Sequence, residues 1–283
     1  MIIDAHTHIL PPEVISHKKR FLQQDSTFKN LFSNNSSNMR TADELIESMD
    51  LLGIEKSAIL GMGWKDDGFN SFINDYIIES SAKYSERLIP ITGINPSSQK
   101  IGLYEAERCL SLGSRGFGEL HPHHQDFDIS DINIMKPYME LLATYNYPLI
   151  LHVSEPVGHT YPGKGDTLPS LVENFIRHFP ESLMILSHWG GGLPFYELMP
   201  EIKLLMKNIY YDCAASTLIY DKNIFNIVPQ LISPRKILFG SDFPLLSQNN
   251  MLSMIKNSDP TNIEKTFILY QNACDVFNIT SQM

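Results

Sequence analysis

Residues 1–10 read MIIDAHTHIL, and this stretch places two histidines at the end of a run typical of a buried strand. In a strand, residues i and i+2 point to the same side, so His6 and His8 direct their imidazoles at one point while Thr7 faces the other way. A doubly wound open sheet, the structural alternative, would be expected to show a glycine-rich phosphate turn after an early strand. The histidine pair stands there instead.

Seven more short apolar runs follow, and each reads as a strand buried on both faces. They cover residues 57–63, 87–95, 114–122, 147–155, 183–191, 209–216 and 236–244. Helical patterns lie between them; Thr41 and Glu44, for example, form a capping-box pattern that leads to a stop at Gly53. The alternation predicts an α/β fold, a (β/α)8 TIM barrel forming a single domain over residues 1–283.

The polar segment 11–40 interrupts this pattern after the first strand. It is rich in Asn and Ser, and we interpret it as an insertion. A lid over the barrel mouth and a disordered surface loop are both compatible with its length and composition.

Composition narrows the classes of function. The chain has 283 residues, 43% of them hydrophobic, and a formal net charge of −10, which argues against a nucleic-acid partner or an anionic membrane surface. The three cysteines show no metal or disulfide spacing, and we find neither a secretory signal nor an apolar run long enough to span a membrane. We therefore expect a cytoplasmic protein that acts on a small molecule.

Polar side chains occur where the predicted strands end, which is where barrels of this class carry their functional groups. They are His6, His8, Glu119, His152, His188 and Asp242. Each alone has an ordinary structural explanation, such as a hydrogen-bonded core histidine or, for Asp242, a turn residue. Together at one end of one barrel they would be costly to bury unpaired, and a divalent cation would satisfy them. Imidazole and carboxylate ligands suit zinc, with manganese or iron as alternatives.

The stretches DAHTHI, GFGEL, LHVSEPVGHTYPGKG, SHWGGGLPFYELMP and ILFGSDFP resemble the amidohydrolase superfamily. The resemblance is to its amidohydrolase-2 branch, which includes relatives of aminocarboxymuconate-semialdehyde decarboxylase, and it covers essentially the whole chain. It implies that His6, His8, His152 and Asp242 bind one metal, and that Asp242 also accepts a proton from the metal's water. His188 then either orients that water or binds a second metal. Glu119 departs from the decarboxylase pattern and matches a carboxylate of a two-metal branch, so one or two ions remain open.

The resemblance implies a metal-dependent hydrolase acting on a small, anionic amide, ester or lactone. Non-oxidative decarboxylation is the alternative, and a catalytically inactive metal-binding protein is less favoured. In the loop after the fifth strand, His159, Tyr161 and Lys164 are candidate substrate contacts, with Lys164 facing a substrate carboxylate; a solvent-facing connection is the competing interpretation. The cluster formed by His121, His123 and His124 could supply one more contact. A homodimer is expected by analogy only.

Overall fold

Eight parallel strands form the centre of the structure, a computed structural model that describes residues 1–34, 38–161 and 163–279. They are β1 (Ile3–Thr7), β2 (Lys56–Leu60), β3 (Leu88–Ile91), β4 (Phe117–Leu120), β5 (Leu149–Leu151), β6 (Met184–Leu186), β7 (Ile209–Asp212) and β8 (Ile237–Leu238). Every strand falls within one residue of a predicted apolar run. The runs were recognisable because both faces of such a strand are covered, so no polar alternation interrupts them.

The strands close into a barrel through two seams. Ladder pairing gives one sheet in the order β1-β2-β3 and another in the order β4-β5-β6-β7-β8. Isolated parallel bridges join them, Thr92 with Phe117 at one seam and Thr7 with Phe243 at the other. Backbone hydrogen bonds reinforce the second seam, where the amide of Ala5 donates to the carbonyl of Phe239 at 2.7 Å. The predicted (β/α)8 barrel is confirmed.

Helices connect the strands and cover the barrel. They are α1 (Pro12–Ser16), α2 (Lys18–Gln24), α3 (Ser26–Phe32), α4 (Ala42–Leu52), α5 (Asp67–Lys83), α6 (Lys100–Ser111), α7 (Pro122–Gln125), α8 (Ile132–Tyr145), α9 (Pro169–His178), α10 (Leu193–Tyr196), α11 (Pro200–Leu205), α12 (Ser216–Ile219), α13 (Ile224–Ile232), α14 (Gln248–Lys256), α15 (Asn262–Thr266) and α16 (Asn272–Val276). The capping box of α4 is present as predicted, and the helix ends at Gly53 in the left-handed conformation.

The polar segment after β1 is built from three short helices. Residues 12–32 contain α1, α2 and α3, and they bury Phe21, Phe28 and Leu31. The Phe28 ring packs 5.6 Å from the rings of both Trp64 and Phe69. These aromatic contacts attach the segment to the barrel, which contradicts the disordered-loop interpretation for residues 12–32. Residues 35–37 lie outside the described part of the chain, and the lid role stays a prediction.

Apolar side chains of the strands and of the C-terminal segment pack together at the amino end of the barrel. One apolar cluster combines residues from strands all around the barrel with residues of the C-terminal segment, including Ala273 and Phe277. Arg115, just before β4, donates to the carbonyl of Phe277 at 3.2 Å, and Asn278 donates to the carbonyl of Asn146, before β5. The C-terminal segment therefore lies across the amino end of the barrel.

Two expectations from composition can be compared with the structure. Cys109, Cys213 and Cys274 are buried and form no disulfide. Within the described ranges, no helix combines the length and apolarity needed to cross a bilayer.

Candidate metal centre

The predicted strand-end residues meet at the carboxyl end of the barrel. His6 lies in β1, Glu119 lies in β4, and His8, His152, His188 and Asp242 lie just beyond strand ends; all six are buried. Potential ligand atoms of His6, His8 and Glu119 lie within 4.8 Å of one another, and so do those of Glu119, His152 and His188. The structure thus brings five of the six residues into two groups that share Glu119, and Asp242 lies beside the first group.

The first group has the spacing expected of ligands around one ion. His6 Nε2 and His8 Nε2 are 3.0 Å apart, and Glu119 Oε2 lies 3.5 and 3.7 Å from them. Asp242 Oδ1 is 3.5 Å from His8 Nε2 and 3.7 Å from His6 Nε2. Tetrahedral ligands bound at roughly 2.0–2.2 Å lie about 3.4 Å from each other. The separations of these donors are close to those expected of ligands around one divalent cation.

The second group uses the other oxygen of the same carboxylate. Glu119 Oε1 lies 3.1 Å from His152 Nδ1 and 3.2 Å from His188 Nε2. The two histidine nitrogens are themselves 3.1 Å apart. Oε1 of Glu119 thus faces the His152–His188 pair, while Oε2 faces the His6–His8 pair and also His121 at 3.0 Å, an arrangement suited to a carboxylate that bridges two sites.

A further set of contacts orients the imidazoles. Asp212 Oδ2 lies 2.9 Å from His6 Nδ1, and Asp212 Oδ1 accepts from the amides of His188 and Ala214. The carbonyl of Leu60 lies 3.1 Å from His8 Nδ1. These partners hold the Nδ1 side of the rings and leave Nε2 of His6 and His8 directed at the site.

Asp212 was missed by the sequence analysis. It ends β7, the same position in a strand that identified the other residues, so the signal was present. What the sequence could not show was that this carboxylate faces a histidine from β1 and not the centre of the site.

Two glycines allow the backbone around the site to pack closely. A Cβ at Gly240, beyond β8, would lie 2.8 Å from the Cβ of His6, so a side chain there would displace the histidine. Gly191, in the turn that follows His188, has φ +60° and would place a Cβ 2.5 Å from the carbonyl oxygen of Ser154. Glycine at these two positions lets β8 approach β1 and lets the His188 turn pack on the strand-five loop.

Neighbouring charges set different protonation states for the candidate ligands. Burial alone would raise the pKa of Glu119, but the neighbouring His121, His6 and His152 lower it well below its ordinary value. The pKa of Asp242 is lowered as well, because contacts with His8, His6 and His188 outweigh its burial. Burial, followed by the proximity of His121, lowers the pKa of His152 to about 4. The two carboxylates are therefore ionised and His152 is neutral at neutral pH. Asp212 and Glu119 outweigh burial and raise the pKa of His6 well above its ordinary value, and Glu119 raises that of His188 to about 9, so a bound cation would displace protons from these two rings.

His121 is a second residue whose position the sequence did not specify. Its Nε2 lies 3.0 Å from Glu119 Oε2, and its ring stacks on that of His152 with centroids 4.2 Å apart. The other two histidines of the cluster turn away. His123 pairs with Asp166, and His124 Nε2 lies 3.1 Å from the carbonyl of Gly163. Of the three histidines, only His121 lines the cavity over the site.

The strand-five loop does not bring its positive charge to the metal centre. Tyr161 lines the cavity, and its hydroxyl donates to Glu155 Oε2 at 2.7 Å. His159 and Lys164 line a neighbouring groove instead. Lys164 Nζ donates to the carbonyls of Val157 and His159, both within its own loop. Of the three predicted substrate contacts, only Tyr161 is therefore placed beside the candidate ligands.

Comparison with known families agrees with this arrangement. The family model Amidohydro_2, described as Amidohydrolase, matches residues 3–279. The chain belongs to the amidohydrolase family. The resemblance deduced from the strand-end motifs is confirmed, and the family match spans the whole barrel.

Solved structures of amidohydrolase-family proteins share the fold over nearly the full chain. One is a 5-carboxyvanillate decarboxylase from Sphingomonas paucimobilis, 14% identical, covering 99% of both chains, with a TM-score of 0.79. Another 5-carboxyvanillate decarboxylase, from Novosphingobium aromaticivorans, was solved with manganese; it is 15% identical and covers 98% of this chain and 96% of its own, with a TM-score of 0.77.

A dihydroxybenzoic acid decarboxylase from Polaromonas sp. JS666, with bound manganese and 2-nitroresorcinol, is 17% identical and covers 99% of this chain and 97% of its own, with a TM-score of 0.74. At these identities the similarity shows the fold. The bound manganese in two of the three, together with the His and Glu groups found here, supports a divalent metal in this amidohydrolase. The named activities are closer to the decarboxylase alternative than to hydrolysis.

Proposed function

We propose that this amidohydrolase-family protein is a hydrolase of a small ester, lactone or amide, working with two divalent ions that share Glu119. The observation that carries the proposal is the position of Glu119, whose two oxygens face the His6–His8 pair and the His152–His188 pair separately. A site for a single ion would not need a carboxylate between two pairs of imidazoles. Zinc fits this donor set, and manganese fits it as well.

The donor set indicates how the work would be divided among the residues. His6, His8 and Asp242 would hold one ion, His152 and His188 the other, and Glu119 both. Divalent ions in such sites lower the pKa of bound water towards about 7 and polarise a carbonyl. Asp242 is ionised at neutral pH and has its Oδ1 beside His6 and His8, so it would accept a proton. Asp212 keeps His6 in the tautomer that leaves Nε2 free.

Non-oxidative decarboxylation is the second candidate. It is favoured by the names of the solved structures, which include decarboxylases of 5-carboxyvanillate and dihydroxybenzoate. The fold is common to both reactions and does not separate them. The shared carboxylate of Glu119 is why we place hydrolysis first. A complete set of potential ligands, with Asp242 present, also argues against an inactive metal-binding protein.

Metal content and product analysis test the proposal together. The purified protein should hold two divalent ions per chain, and Glu119→Gln should reduce this to one or none. Glu105→Gln, a substitution of the same type on α6, should leave the content at two. Wild-type protein should release acid from esters, lactones or amides, and no carbon dioxide from carboxylated phenols.

Two results would contradict it. A single ion per chain that survives Glu119→Gln would remove the bridging role. Release of carbon dioxide from hydroxylated benzoates, without cleavage of any ester, lactone or amide, would establish the second candidate.

A further inference from the structure

The cavity above the candidate ligands is apolar apart from those ligands and three other polar side chains. It has a volume of about 110 Å³, and its walls come mainly from the polar segment after β1, from α12 and from the loop after β8. The apolar wall is formed by Leu31, Phe32, Met62, Leu218, Ile219 and Leu245. Asn38, Tyr161 and His121 are the other polar side chains in the lining.

No lysine or arginine lines this cavity in the described part of the chain. Residues 35–37 and 162, which lie outside it, are Asn, Ser, Ser and Pro by sequence and carry no charge. Two basic residues that line neighbouring pockets, Lys164 and Arg40, are engaged elsewhere. Lys164 donates to carbonyls of its own loop, and Arg40 pairs with Glu44 at 3.5 Å.

From this lining we propose that the substrate places an uncharged, apolar group of about four to six carbons in the cavity, beside the bond that is cleaved. The size follows from volume, since an apolar cavity of about 150 Å³ holds a benzene ring. A charge on that group would be buried against Leu, Ile and Phe side chains without a partner, which is strongly unfavourable. The substrate class is thus a neutral acyl ester, lactone or amide, in contrast to the anionic substrate expected from the sequence.

The rim of the cavity is apolar as well. Leu218 and Leu245 are 40% and 43% exposed and lie at the mouth of the cavity. Ile219 and Tyr161 line both this cavity and the neighbouring groove, where Val157 and Phe195 are also exposed. An apolar group therefore meets apolar surface from the rim inwards.

The inference rests on the proposed function, but binding can test it without any turnover. Hexanohydroxamic acid and adipic acid monohydroxamate share the metal-binding group and the chain, and differ only in a terminal methyl or carboxylate. Calorimetry on protein whose measured metal content is at least one ion per chain should show the methyl compound binding at least about tenfold more tightly.

A charge introduced at the rim should change that preference. Leu218→Arg places a cation at the mouth of the cavity. We expect it to reduce about tenfold the ratio of the affinity for the methyl compound to the affinity for the carboxylated compound. Leu204→Arg makes the same exchange at an exposed position on α11 that is away from the cavity, and should keep the wild-type ratio.

The outcomes separate the two proposals. Equal or tighter binding of the carboxylated compound to wild-type protein, or no binding of either, overturns the substrate inference. Preference for the methyl compound, without cleavage of any ester, lactone or amide, supports the substrate inference and overturns the proposed hydrolysis.

Discussion

The two ends of this barrel are built from the same eight strands but from opposite kinds of side chain. At the amino end, Ala273 and Phe277 of the C-terminal segment pack with isoleucines and alanines of the strands. At the carboxyl end, the same strands deliver six buried histidines and carboxylates into one small volume. Apolar contacts at one end supply stability, while the polar groups at the other need a cation to offset their burial. The comparison shows a barrel whose stability and chemistry are assigned to separate ends.

Asp242→Asn should have the largest effect, and only at the carboxyl end. The amide can still coordinate but cannot accept a proton near neutral pH, so we expect kcat to fall about 10²- to 10⁴-fold with metal largely retained. Kinetics on a substrate found by screening, with parallel metal analysis, provide the measurement. Asp126→Asn, at a surface ion pair with Lys65, should behave as wild type. Near-normal kcat with full metal content in Asp242→Asn would refute the base role.

Phe277→Ala tests the amino end. The side chain is fully buried, and its removal should lower the free energy of unfolding by about 3–5 kcal/mol. Denaturant titration measures this, and metal content per folded chain should not change. Phe72→Ala, at a 36% exposed ring, should cost much less. If Phe277→Ala lost its metal while remaining stable, the two ends would not be separate in the way described.

His6→Ala should remove the contribution of the cation to stability. A ligand present at 100 times its Kd stabilises the native state by about 2.7 kcal/mol, so added metal should raise the Tm of the wild type but not of this variant. Thermal unfolding with and without a chelator makes the comparison. His178→Ala, an exposed residue ending α9, should respond to metal as the wild type does. An undiminished metal response in His6→Ala would exclude His6 as a ligand.

Asp212→Asn should have the smallest effect of the four, because Asp212 acts through His6. Loss of a carboxylate that orients a metal-binding histidine typically weakens metal affinity 10- to 100-fold. A competition titration with a chromophoric chelator measures that shift, and Asp221→Asn on the surface is its control. Unchanged affinity would mean that Asp212 serves the backbone of the His188 turn and not the metal centre.

The strands and the candidate ligands could be predicted from sequence for one physical reason. Parallel strands covered on both faces appear as short apolar runs, and a polar residue that ends such a run is conspicuous. The position of His6 and Glu119 at one end of the barrel follows directly from that pattern. Neither inference required knowledge of any side-chain conformation.

The remaining features depend on contacts between distant segments. Asp212 shows the same strand-end signal as Asp242, yet one faces His6 from the side and the other faces the site. The loop after β5 is rich in Gly and Pro, and sequence alone does not give side-chain directions in such a loop. The hydrogen bond from Lys164 to the carbonyl of Val157, within the same loop, could therefore not be foreseen. The three helices that follow β1 are attached to the barrel by aromatic contacts with Trp64 and Phe69, and the sequence alone does not give these contacts.

The division of the barrel into a three-stranded and a five-stranded sheet gives the metal centre a second consequence. His6 lies in the first sheet and His8 directly follows its strand, whereas Glu119 lies in the second sheet and Asp242 follows its last strand. An ion held by these four side chains would tie the two sheets together, in addition to the isolated bridges and the few backbone hydrogen bonds at the seams. Amide hydrogen exchange around Thr92 and Phe243 should then slow markedly on metal addition. The exchange rate at the seams would therefore show whether the chain contains its metal.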